Sequence, residues 1–130
     1  MHFPQSFRDK KVLITGHTGF KGSWLTIWLK SLGAEVTGIA LDPITTPSHF
    51  EAANVAEDIS DIRLDIRTRE AVADAIVAAQ PDYVFHLAAQ ALVRQSYENP
   101  VDTWQTNLMG TLYVLEGLRK LTKPCAAVLI

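Results

Sequence analysis

Gly16, Gly19 and Gly22 recur at three-residue intervals in Gly16-His17-Thr18-Gly19-Phe20-Lys21-Gly22, directly after the apolar run Lys11-Val12-Leu13-Ile14-Thr15. A strand that ends in such a turn and opens a helix offers unpaired backbone N–H groups, and the positive end of the helix dipole, to an anion. Gly16 permits the sharp strand-to-helix reversal, Gly19 leaves room for a pyrophosphate, and Gly22 lets the helix pack close to the sheet. Thr18 and Phe20 complete the turn. The chemistry this pattern can do is to hold a dinucleotide by its phosphates. Two readings stand for each polar member. Lys21 either brings an ammonium near the pyrophosphate or is solvated, and His17 either lies beside the ligand or is a surface histidine.

The elements that must position this turn alternate along the chain. Strands are expected at Lys11–Thr15, Glu35–Leu41, Asp61–Ile66, Tyr83–Leu87 and Ala126–Ile130. Helices are expected from Phe20 to Leu32, stopped by Gly33, from Thr68 to Ala79 with Thr68 as N-cap, and from Pro100 to Leu121. Residues 42–57 read as an irregular loop with a short helical turn around Phe50–Val55. On the last helix, Trp104, Leu108, Leu112, Leu115 and Leu118 form a stripe that suits a core or a dimer surface. The near-continuous apolar strands imply a parallel sheet covered on both faces. The expected fold is therefore α/β, a Rossmann-type doubly wound parallel sheet of order 3-2-1-4-5, truncated after strand five. A hydrophobic strand at a raw terminus is an aggregation liability, which points to one domain over residues 1–130 that is part of a longer polypeptide.

Composition narrows the classes further. The 130 residues are 48% hydrophobic and 20% charged with a formal net charge of −2, which gives no basic field for nucleic acid. Cys125 is the single cysteine, so no internal disulfide can form, and this fits a reducing compartment. The start Met1-His2-Phe3-Pro4-Gln5 lacks the basic-then-apolar pattern of a secretory signal, and no apolar run is long enough for a membrane span. The expectation is a cytoplasmic domain with no membrane or nucleic-acid partner and no metal site.

Discrimination between dinucleotides is set at the end of the second strand, by an acid for a ribose 2′-hydroxyl or an arginine for a 2′-phosphate. The register from Gly22 places that position near Ala40, with Asp42 two residues on. Asp42 either meets the ribose or caps the turn before Pro43. No lysine or arginine occurs between Lys30 and Arg63. With nothing local to neutralise a 2′-phosphate, NAD is favoured over NADP. His86-Leu87-Ala88-Ala89-Gln90 ends the fourth strand beside the crevice where the strand order reverses. The small residues in this stretch, Ala88 and Ala89, let the backbone from Leu87 to Gln90 approach a cofactor, whereas His86 reads as a packed core histidine.

The G-x-x-G-x-x-G spacing resembles the short-chain dehydrogenase/reductase superfamily, and its extended branch in particular. Residues 16–25, Gly-His-Thr-Gly-Phe-Lys-Gly-Ser-Trp-Leu, together with Thr46-Pro47-Ser48-His49-Phe50-Glu51 and the run from Ala88 to Tyr97, resemble the CDP-glucose 4,6-dehydratase family. Members of that family often have proline where this chain has Ala91. The resemblance implies that Asp65-Ile66 contacts adenine, although Asp65 also reads as a solvated loop carboxylate, and that Asn107 bonds backbone near the fourth strand and supports the active site. It also implies that Gln90, Arg94 and Ser96 are the local candidates for the hexose, although Arg94 also reads as an ordinary surface cation.

The implied activity is that of an NAD-dependent lyase, in which CDP-glucose is oxidised at C4, loses water across C5–C6 and receives hydride at C6. The products would be CDP-4-keto-6-deoxyglucose and unchanged coenzyme. The family's Tyr-x-x-x-Lys pair is absent: Tyr83, Tyr97 and Tyr113 are followed four residues on by Leu87, Val101 and Gly117. The catalytic groups and the sugar-nucleotide domain are expected after Ile130, so this segment would bind NAD at most. A sugar-nucleotide epimerase or reductase of the same superfamily, and a non-catalytic dinucleotide sensor, are the alternatives. Superfamily members commonly form homodimers or higher homo-oligomers through the long helix.

Overall fold

The computed structural model describes residues 5–130; Met1–Pro4, on which the reading of the amino terminus partly rests, lie outside the described residues. Five strands form one parallel sheet in the order β3-β2-β1-β4-β5, as expected. They are β1 (Lys11–Thr15), β2 (Glu35–Ala40), β3 (Ser60–Arg63), β4 (Tyr83–His86) and β5 (Ala126–Leu129). The helices are α1 (Phe20–Ser31), α2 (His49–Ala52), α3 (Arg69–Ala79), α4 (Val93–Glu98), α5 (Pro100–Trp104) and α6 (Gly110–Leu118).

Alternation along β1 sends its side chains to two separate cores. Leu13 joins Ile39, Val72, Ile76, Val84 and Val114 beneath α3 and α6. Val12 and Ile14 join Leu29 and Val36 beneath α1. Burial on both faces is what a parallel sheet with crossover helices requires. Helices α3 and α6 pack closely because Gly117 has no side chain: a Cβ there would lie 2.7 Å from Ile76 Cδ1 and 3.3 Å from Ala73 Cα.

Four expectations need correction. Strand β3 stops at Arg63, short of Ile66, because the Asp65 carboxylate accepts the Arg67 N–H at 2.9 Å and turns the chain. The turn in the 42–57 loop comes earlier, as α2, because Ser48 and Glu51 form a reciprocal cap: the Ser48 hydroxyl accepts the Glu51 N–H and donates to its carboxylate. Helix α4 stands where no helix was expected. The helix from Pro100 is not continuous either, since a π-helical turn at Gln105–Met109 separates α5 from α6. Thr68 does occupy the N-cap of α3, but its hydroxyl makes no capping bond.

The aromatic stripes are not core. Trp104, Leu108 and Leu112 are exposed, while Leu118 packs on the α3 side of the sheet. On α1, Phe20, Trp24 and Trp28 recur at four-residue steps on the outward face; Leu25 and Leu29, also four apart, face inward. No described helix is long and apolar enough to cross a membrane.

Ile76 is fully buried where α3, α6 and the sheet meet. Ile76→Ala is expected to lower stability by about 2–5 kcal/mol, measured by equilibrium urea unfolding of the intact protein. A loss under about 1 kcal/mol would mean that this interface is not packed as described.

Candidate dinucleotide-binding site

Gly16 adopts φ +81°, and a Cβ there would come within 2.9 Å of the Ala88 amide nitrogen. Gly22 is more constrained. Its Cβ would fall 2.0 Å from the Gly16 carbonyl oxygen, so only glycine lets α1 start this close to β1. Ser23 and Thr18 fasten the turn, with the Ser23 hydroxyl donating to the His17 carbonyl at 3.0 Å and the Thr18 hydroxyl to the Leu41 carbonyl at 2.9 Å.

Gly19 is the N-cap of α1, and it differs from its neighbours in being open. Its Cβ would meet only the Gly16 oxygen, at an ordinary 3.4 Å. It offers no capping side chain, and the first turn of α1 contains no acidic residue. The first N–H groups of a helix have no intrahelical partner, so this end presents free donors and the positive dipole end to solvent. Phe20 and Lys21 are exposed beside it, and Lys21 has no ion pair among the described residues. The geometry can receive an anion such as a pyrophosphate.

His17 is not a surface histidine. Its side chain is fully buried, because β2 carries Gly38 beneath it: a Cβ on Gly38 would lie 2.3 Å from the His17 ring. Nε2 bonds the Asp61 carboxylate at 2.7 Å, the ring meets Phe50 edge-on, and Nδ1 has no hydrogen-bond partner. Burial pushes its pKa below the usual histidine value, against the opposing pull of Asp61.

At the other side of the turn, a polar chain crosses the sheet. Thr15 Oγ1 accepts the N–H groups of Leu87 and Ala88, which fill its lone pairs. Its own proton must then go to His86 Nδ1, 2.6 Å away. His86 Nε2 consequently carries the ring proton and donates to Thr111 Oγ1 at 2.8 Å, which passes its proton to the Asn107 carbonyl at 2.7 Å. The Asn107 carboxamide completes the line by clamping Gln90, accepting its N–H at 2.7 Å and donating to its carbonyl at 3.0 Å. His86 is the packed core histidine expected from sequence, with both nitrogens satisfied in one tautomer. Asn107 is exposed, and it holds the backbone after β4, the contact that the resemblance implied.

Other expected site residues are engaged in local structure. The Asp65 carboxylate faces the Arg67 guanidinium, which holds its pKa below the usual carboxylate range; Arg67 also pairs with Asp102. Ile66 is buried in the core, under Gly110, which leaves only its backbone for a ligand. The Gln90 carboxamide bonds Thr103 and both backbone groups of Leu92, shaping the loop into α4. Arg94 is exposed and pairs with Glu98, and the Ser96 hydroxyl donates to the Val93 carbonyl of its own helix. The structure brings Gly16, Gly19, Gly22, Leu87 and Ala88 together at the carboxyl edge of the sheet. It leaves Arg94 and Ser96 on α4, turned to partners within that helix. Among the described residues no cluster of three or more His, Cys, Asp and Glu is placed for a metal ion.

Arg63 was missed. Parallel pairing sets it beside Ala40, at the end of β2, so the absence of a nearby cation in sequence is not an absence in space. The alternation Asp61-Ile62-Arg63 was the available signal: residues two apart share a face, and here their side chains pair at 2.9 Å.

The family profile for GDP-mannose 4,6 dehydratase matches residues 13–129. The CDP-glucose 4,6-dehydratase of Salmonella typhimurium is 47% identical over 114 residues, covering 88% of this chain and 32% of its own length. Among solved structures, the UDP-glucose 4-epimerase of Thermus thermophilus in complex with NAD is 39% identical with a TM-score of 0.71, over 84% of this chain and 33% of that one. An epimerase from Methanothermobacter thermautotrophicus superposes with a TM-score of 0.77 at 34% identity, over 92% and 34%. The chain thus spans about a third of the length of the curated relatives it matches.

The neutral His86 network has a pH consequence. Burial holds the His86 pKa below its ordinary 6.5, while in the unfolded chain it titrates normally. The unfolded state therefore binds more protons below about pH 6.5, and stability falls with falling pH until the folded-state pKa is passed. The urea midpoint of the intact protein should drop between about pH 7.5 and pH 5.5, and drop less in His86→Gln. An equal drop in both proteins would show that His86 is not buried neutral.

Proposed function

The chain belongs to the GDP-mannose 4,6 dehydratase family of nucleotide-sugar enzymes, and on that footing we propose that it is the NAD-binding, amino-terminal part of a CDP-glucose 4,6-dehydratase. The observation that carries the coenzyme half of this reading is the uncapped, acid-free start of α1 at Gly19. The substrate half is supported by the likeness to the Salmonella enzyme, with its identity of 47%.

The pyrophosphate would lie against the N–H groups of Phe20 and Lys21, because the Gly19 N–H is already given to the Gly16 carbonyl at 3.1 Å, with Gly16 and Gly22 supplying the clearance. Leu87 to Gln90 would flank the coenzyme toward its reactive end, held in place by Thr15, His86, Thr111 and Asn107. The adenosine end would lie by Asp65 and Ile66, with the ribose near Asp42. When bound, NAD supplies a hydride acceptor and donor for sugar C4 and C6, which makes loss of water across C5–C6 accessible without net coenzyme change. This chain's residues bind and orient; with no Tyr-x-x-x-Lys pair among them, the proton-transfer groups are assigned to the remainder of the protein. Association as a homodimer or higher oligomer and a cytoplasmic location belong to the same proposal.

The likeness to UDP-glucose 4-epimerases gives the second reading, an epimerase of the same superfamily. Incubation of the intact protein with NAD and CDP-glucose separates the two. The proposal predicts the ultraviolet absorbance of a 4-keto-6-deoxy product in alkali and no net formation of reduced coenzyme. A CDP-hexose epimer without that absorbance would contradict it.

A further inference from the structure

Arg63 stands at the carboxyl edge of the sheet, at the end of β3, with β2 between it and the glycine turn that follows β1. Its guanidinium donates to the Leu41 carbonyl at 3.2 Å and to the Asp61 carboxylate at 2.9 Å. Nε lies 3.5 Å from Asp42, and the guanidinium lies over Phe50, 4.9 Å from the ring centroid. Phe50 is itself buried and also packs on His17. An arginine fixed by a carbonyl, a carboxylate and an aromatic face has its orientation set before any ligand arrives.

Its two carboxylate partners are not equivalent. Asp61 is 21% exposed and shared with the buried His17, so it belongs to the framework. Asp42 is 87% exposed, makes the longer contact, and lies just beyond β2. That is where an adenosine ribose meets a doubly wound sheet. With both acids present, one cation faces two carboxylates, and the corner carries net negative charge. A ribose 2′-hydroxyl can donate to Asp42 there, whereas a 2′-phosphate would meet repulsion. Without Asp42, the same guanidinium becomes a pre-set donor for phosphate oxygens.

We propose that the Asp42–Arg63 pair is the coenzyme-discriminating element of this protein, with Asp42 excluding a 2′-phosphate that Arg63 would otherwise bind. This rests on the dinucleotide-binding reading above and adds to it a residue from β3. The single exposed carboxylate, rather than any lack of basic residues, then accounts for a preference for the unphosphorylated coenzyme.

The test is calorimetric titration of NAD and NADP into the intact protein and its variants, with thermal unfolding as the control for folding. The wild type is expected to favour NAD. Asp42→Ala should shift the ratio of dissociation constants toward NADP by about tenfold or more, the worth of a charge-assisted contact. Adding Arg63→Gln should abolish that gain. Should Arg63→Gln not fold, Asp42→Ala with Arg63→Lys decides, because a point charge without the planar fork should retain only part of the shift. An unchanged ratio in Asp42→Ala, or a full gain kept in either double variant, would overturn the proposal. A wild type that binds neither coenzyme would instead overturn the reading beneath it.

Discussion

The start of α1 touches the end of β1 so closely that residue 22 can carry no side chain. A Cβ would sit 2.0 Å from the carbonyl oxygen of Gly16, against backbone rather than a flexible side chain. No small adjustment relieves such a contact. It sets where α1 begins, and therefore where its unpaired N–H groups point. Gly16, left-handed and pressed against Ala88, seats the same turn on the exit of β4. Two neighbouring strands and a helix thereby converge on one short segment, and the ligand-facing surface is largely backbone.

Backbone alone would not keep that surface in register, and two lines of polar contacts, each containing a buried histidine, do so. One passes from Thr15 through His86 and Thr111 to Asn107, and ends on the backbone of Gln90. The other passes from His17 through Asp61 to Arg63, and ends at Leu41 and Asp42. Each line couples the glycine turn region to one flank of the crevice, the first toward β4 and the second toward β2 and β3. Buried polar groups are costly unless satisfied, so such lines are strongly specified wherever they are complete. The first is complete in a single tautomer. The second leaves His17 Nδ1 without a partner.

The sheet was legible because β1, β4 and β5 are short apolar runs and β1 ends at Gly16, and the order followed from the glycine turn and the crossover rule. The turn itself was legible because each glycine has a separate steric duty. Less was readable where contacts are tertiary. His17 looked like a surface residue because nothing local marks Gly38 as the space that admits it. Arg63 looked remote from the end of β2 because sequence distance hides parallel pairing. Helix α4 and the π-helical turn depend on the loop that Gln90 organises through Thr103 and Asn107, three residues brought together only by the fold. The Ser48–Glu51 cap was local and readable, and would have placed α2 correctly.

The central claim is that the amides at the head of α1 hold the paired phosphates of a nicotinamide coenzyme. A crystal structure of the intact protein grown with NAD tests it most directly. The account predicts pyrophosphate oxygens within about 3 Å of the Phe20 or Lys21 nitrogen, with the turn unmoved. Density for the coenzyme elsewhere, or an empty turn at saturating NAD, would contradict it.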